Sequence, residues 1–172
     1  MRLPLLIVGA FCVTHREPDS LYPSADSNEW YRRFMGESCY LGGCLCGGVR
    51  YQVSGTVSNP CFCHCASCRR ASGAPMVPWG TFARANFGLT RGSLTEYRSS
   101  ARVTRGFCAN CGTSLTYRHD ARPTEIDVTL ASLDDPTLLA PQMHLWVGDK
   151  LPWVSINDGR PQYRAGISAG PL

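Results

Sequence analysis

The sequence predicts a mostly-β domain of short antiparallel strands gathered around cysteine knuckles. Three observations carry that reading: apolar and polar residues alternate over short runs, Gly, Pro, Ser and Asn interrupt those runs, and no stretch sustains the three-to-four spacing of a long amphipathic helix. At 172 residues the chain is long enough to bury a core without disulfide staples.

The elements follow in order. "MRLPLLIVGAFCV" is an apolar run too short to span a bilayer, and "THREPDSLYPSADSNEWYRR" after it is polar and turn-rich. Residues 1–38 are therefore expected to be a loosely ordered extension, 39–165 the domain and 166–172 a tail. "GGVRYQVSG" places Val49, Tyr51 and Val53 on one side of a half-buried strand bounded by glycines, and "TEIDVTLASL" does the same with Ile126, Val128 and Leu130. Further strands are expected at "MVPWGTF", "LTEYRS", "VTRGFC" and "SLTYRH". "CASCRRASG" has room for one helical turn, stopped at Gly73 by a residue suited to a left-handed cap.

Lys and Arg number 17 against 13 Asp and Glu, a net charge of +4. The arginines are scattered, with local pairs only at Arg32-Arg33 and Arg69-Arg70, so no basic tract points to nucleic acid. No partner in a membrane is expected either.

The ten cysteines are the strongest signal. Cys12 and Cys39 stand apart. The others form Cys44-Leu45-Cys46, then Cys61, Cys63, Cys65 and Cys68, then Cys108-Ala109-Asn110-Cys111. Thiols one or two residues apart seldom pair, because a disulfide needs Cα atoms about 5.5 Å apart with converging Cβ vectors. Converging on a metal is natural for them, which favours a reducing compartment and a cytoplasmic location. "CLCGG" and "CANCG" each close with glycine, leaving backbone amides free to turn toward sulfur. Cys44, Cys46, Cys108 and Cys111 supply the four ligands of a closed structural zinc. Cys63, Cys65 and Cys68 can wrap a second ion from one loop, leaving a position for Cys61, for His64 or for a ligand from outside. His64 lies between two ligands and should point away from the ion, whereas Cys61 shares the parity of Cys63 and Cys65.

"GGCLCGGVRYQVSG", "CHCASCRRASGAP", "GFCANCGTSL" and "HLWVGDKLPWVSINDGRP" resemble, in that order, the glutathione-dependent formaldehyde-activating enzyme family. The resemblance implies a zinc-containing β-tent fold, a structural zinc on Cys44, Cys46, Cys108 and Cys111, and an active-site zinc on Cys63, Cys65 and Cys68 with an accessible position. It implies a carbon–sulfur lyase that joins formaldehyde to glutathione, giving an S-hydroxymethyl adduct. The rival expectation is a zinc-stabilised binding module or thiol carrier without turnover, and a third is a redox sensor using Cys61 or Cys39. Four histidines in no His-Glu-x-x-His arrangement speak against a zinc hydrolase. Because glutathione carries two carboxylates, Arg69 and Arg70, directly after the last ligand, are the candidate substrate-binding residues. Trp79, Phe82, Trp146 and Trp153 are expected in the core more than in a cleft wall. His144 and Asp158 receive no catalytic assignment.

Overall fold

A computed structural model of the chain describes residues 38–172. The extension expected over 1–38 lies outside the described residues except for Ser38.

The strands are β1 (Cys39–Gly43), β2 (Arg50–Ser54), β3 (Ser58–Cys63), β4 (Val77–Ala83), β5 (Phe87–Arg91), β6 (Thr95–Ser100), β7 (Val103–Phe107), β8 (Ser114–His119), β9 (Glu125–Thr129) and β10 (Met143–Leu145). One helix, α1 (Ala66–Ser72), follows β3. A three-stranded sheet has the order β1-β2-β5, and a seven-stranded sheet has the order β10-β3-β4-β9-β8-β7-β6. Pairing is antiparallel except where β10 lies parallel to β3, a departure from the all-antiparallel expectation. There a three-residue strand returns beside one some 80 positions earlier, and its ladder continues as the His64 amide donates to the Leu145 carbonyl at 2.9 Å.

The period-two alternation sets what lies between the sheets. Val49, Tyr51 and Val53 from the β2 region meet Phe82 of β4, Leu115 of β8, and Ile126, Val128 and Leu130 at β9. Each fully buried aliphatic side chain there contributes roughly 1.5–3 kcal/mol. Tyr51 donates to or accepts from Ser132 Oγ at 2.6 Å, so the one polar atom it carries into the core has a partner. Gly42 lies so close beneath this ring that a Cβ would sit 2.4 Å from the Tyr51 hydroxyl.

The opposite face of the large sheet carries a different row. Thr81 pairs with Asp127, Asp127 with Tyr117, Tyr117 with Arg105, and Arg105 with Tyr97, crossing β4, β9, β8, β7 and β6. Polar and aromatic side chains therefore line one face while aliphatic ones fill the other. No helix among the described residues is long and apolar enough to cross a membrane.

Candidate metal centres

Four thiols, those of Cys44, Cys46, Cys108 and Cys111, lie within 4.8 Å of one another and could hold a metal ion. The first pair ends the turn after β1 and the second ends the one after β7. Each turn closes on a left-handed glycine, Gly47 at φ 69° and Gly112 at φ 75°, a conformation that costs a side chain with Cβ. That geometry brings N–H groups onto the thiols: the Val49 amide donates to Cys44 Sγ at 3.2 Å, and Asn110 Nδ2 donates to Cys46 Sγ at 3.3 Å. Thr113 ties the two turns together, accepting from the Leu45 amide at 3.1 Å and contacting Cys111 Sγ at 3.2 Å. The Thr113 hydroxyl, followed by its backbone amide, lowers the Cys111 thiol to about 5, and Asn110 lowers Cys46. Four converging thiols with donors aimed at sulfur suit a soft tetrahedral ion such as zinc.

Cys63, Cys65 and Cys68 form the second group, again with sulfur atoms within 4.8 Å. The local sequence explains the tripod. Cys63 ends β3, Cys65 is the N-cap of α1, and its sulfur accepts the Cys68 amide at 3.3 Å, so one helical turn brings the Cys68 thiol round to the other two. Gly73, at φ 68°, closes that helix and donates to the Arg69 carbonyl at 2.8 Å. Hydrogen bonds from Cys63 and Cys65, then the charge of Arg105, hold the Cys68 thiol far below the usual thiol range. The same contacts, with burial, push Cys63 up. One thiolate among the three is already favoured, as a metal-binding set requires.

Neither internal candidate for a fourth ligand joins this group. Cys61, two residues back along β3, shares the parity of Cys63, but the sulfurs that lie within 4.8 Å of one another are those of Cys63, Cys65 and Cys68, without its own. Burial, and next the charge of Asp127, push the Cys61 thiol up to about 12. His64 turns its ring the other way, with Nε2 2.9 Å from His144 Nδ1, and His144 Nε2 is in turn 3.0 Å from Asp158 Oδ2. This chain crosses 80 positions in sequence, so no local pattern announces it. Cys39 is disulfide-bonded and belongs to neither cluster, a pairing that the spacing of the cysteines does not suggest.

The tripod opens onto a cleft of about 1410 Å³ on the polar face of the large sheet. Arg70 lines this cleft. Arg69 is not in its lining and buries Nε without a partner. Trp79 is a buried part of the wall, Trp146 an exposed one, Phe82 is in the core, and Trp153 is at the surface. Sequence reasoning missed Arg105. It is only 7% exposed, its Nη2 donates to Cys68 Sγ at 3.7 Å, its Nε donates to Ser99 Oγ at 3.3 Å, and its guanidinium lies 5.1 Å from the centre of the Tyr117 ring. In "VTRGFC" it spells an ordinary strand arginine, and only cross-strand register brings it to the thiols.

The chain is thus a mostly-β domain with two thiol clusters that could hold metal ions, four thiols at two glycine-closed turns and three beside a cleft. The chain belongs to the glutathione-dependent formaldehyde-activating enzyme family, whose model matches residues 39–149. An uncharacterized lyase of Schizosaccharomyces pombe is 28% identical over 80 residues, 46% of this chain and 58% of that protein, so the chain spans somewhat over half the length of that curated relative. A solved structure of a Rhodobacter sphaeroides protein aligns over 72% of this chain and 98% of its own, at 23% identity and a TM-score of 0.47.

Proposed function

We propose that this protein is a zinc-dependent carbon–sulfur lyase that joins formaldehyde, or a similar small aldehyde, to the sulfur of glutathione or a similar thiol. One observation carries the reading. Three thiols from a single six-residue segment face a large cleft, and neither Cys61 nor His64 completes the set.

Cys44, Cys46, Cys108 and Cys111 would hold one zinc as a clamp between distant segments, and Cys63, Cys65 and Cys68 the other. Zinc at the tripod would deprotonate an arriving thiol and fix the direction of its sulfur. The chain's own residues do the rest. Trp79, Tyr117 and the protonated Cys61 contribute apolar surface to the wall of the site. Arg70, on the cleft, is the proposed partner for a carboxylate of the tripeptide, whereas Arg69, outside the cleft lining, is not proposed to touch it. Family membership and the lyase name of the yeast relative support the reaction class.

Formaldehyde and thiols also condense unaided, so the test is acceleration. Exchange spectroscopy on the equilibrium among thiol, formaldehyde and S-hydroxymethyl adduct, with protein whose metal has been counted, should show exchange well above the buffer rate. Exchange at the buffer rate would leave a carrier or binder in place of an enzyme.

A further inference from the structure

We propose that Arg105 is a catalytic residue whose Nη1 donates a hydrogen bond to the aldehyde oxygen as that oxygen takes up charge. The inference rests on the thiol–aldehyde reading above and adds a donor to it.

Arg105 is buried, yet no carboxylate among the described residues pairs with it. Asp127, on the same cross-strand row, is engaged by Thr81 Oγ1 at 2.5 Å and by Arg122 Nη2 at 3.0 Å. Three contacts fix the guanidinium: Nε on Ser99, Nη2 on Cys68 Sγ, and the face of Tyr117. Its third nitrogen, Nη1, is buried and has no hydrogen-bond partner. Leaving a charged donor buried without an acceptor is unfavourable, so the orphaned arm marks where an acceptor belongs.

The position of that arm selects the acceptor. The guanidinium is a rigid planar fork, and Nη1 and Nη2 share one carbon. With Nη2 on Cys68 Sγ, anything Nη1 touches adjoins the tripod. The carboxylates of a tripeptide thiol are several bonds from its sulfur and reach outward. An aldehyde oxygen is one bond from the carbon that the sulfur attacks, and it is the group that must lie beside the thiols.

In the step so assigned, a sulfur lone pair forms the C–S bond and the carbonyl π pair moves to oxygen. The alkoxide takes a proton from water, replacing the one the thiol released to solvent, so thiol and aldehyde sum to the S-hydroxymethyl adduct. Arg105 keeps its protons throughout and acts as a fixed donor where charge develops.

The experiment compares wild type, Arg105→Gln and Arg105→Lys, each with its metal counted and its thermal unfolding recorded, using formaldehyde with glutathione or with uncharged 2-mercaptoethanol. Arg105→Gln should slow the catalysed condensation on the order of 100-fold with both thiols. Its metal content and its thiol affinity by equilibrium dialysis should match wild type, and Arg105→Lys should recover part of the rate. An unchanged rate in Arg105→Gln overturns the proposal. So does a loss confined to the KM for glutathione, which would make Arg105 a carboxylate contact, and so does loss of metal or fold in both variants, which would make it a support for the tripod. Absence of acceleration by wild type fails the lyase reading itself, and is distinguishable because the variants are then not needed to see it.

Discussion

Replacing Cys108 by Ser and, separately, Cys65 by Ser should separate the clamp from the tripod. In the clamp, Cys46 and Cys108 meet across 62 positions, with sulfurs 3.8 Å apart. In the tripod, Cys65 and Cys68 are three positions apart. Closing a loop costs about 0.6 kcal/mol per doubling of its length, so the clamp relieves the folded state of just over four doublings more, roughly 2.5 kcal/mol. Added to this is the binding free energy of a structural zinc, about 10–16 kcal/mol in small zinc domains, as large as the 5–15 kcal/mol that separates folded from unfolded in an ordinary domain. Cys108→Ser is therefore expected to lose one ion and most of its cooperative unfolding transition. Cys65→Ser should also lose one ion, and with it thiol–aldehyde turnover, while its urea midpoint moves much less. Denaturant titration paired with elemental analysis of each purified variant reads both quantities. Equal destabilisation by the two substitutions, or two ions retained in Cys108→Ser, would refute the division of labour.

Leu115 is fully buried in the core between the sheets, so Leu115→Ala should cost about 3 kcal/mol, measured as a lower denaturant midpoint at unchanged slope. Arg70→Ala should raise the KM for glutathione at low salt and leave that for 2-mercaptoethanol unchanged, since only the former brings carboxylates to the cleft. The hydrogen bond with His144, and after it the contacts of Arg160, hold the Asp158 carboxyl below its ordinary pKa of 3.8. That contribution is complete above the ordinary value and disappears as pH falls through the depressed one, so Asp158→Asn should be less stable than wild type at pH 7 and the difference should close in strong acid. Burial, then the charge of His144, pushes His64 down to about 4, so the unfolded chain binds more protons than the folded one between that value and 6.5. Stability from this source is whole above pH 6.5 and falls as pH drops toward 4, an acid-side loss that thermal unfolding in a pH series would record.

Alternation made β2 and β9 legible, and bounding Gly, Asn, Ser and Pro residues did the same for β4, β6, β7 and β8. The thiol clusters were legible for a related reason, since both depend on spacing within a few residues. β3 was not, because Asn59, Pro60 and two cysteines read as a loop; its strand geometry comes from β4 on one side and β10 on the other. β10 is three residues long and exists by leaning on β3. The same limit hid Arg105 and the His64–His144–Asp158 chain, whose partners stand 37, 80 and 14 positions apart. A one-dimensional pattern reports which face a side chain takes, not what stands across from it.

The contrast between a contiguous tripod and a divided clamp also orders events at the ribosome. Once residue 68 has emerged, the nascent chain already displays every thiol of the tripod, before β4 to β10 have been synthesised. The clamp must await residue 111. Metal can thus reach the tripod while the sheet that will enclose it is still being translated, and the guanidinium at 105 arrives afterwards at a centre already assembled.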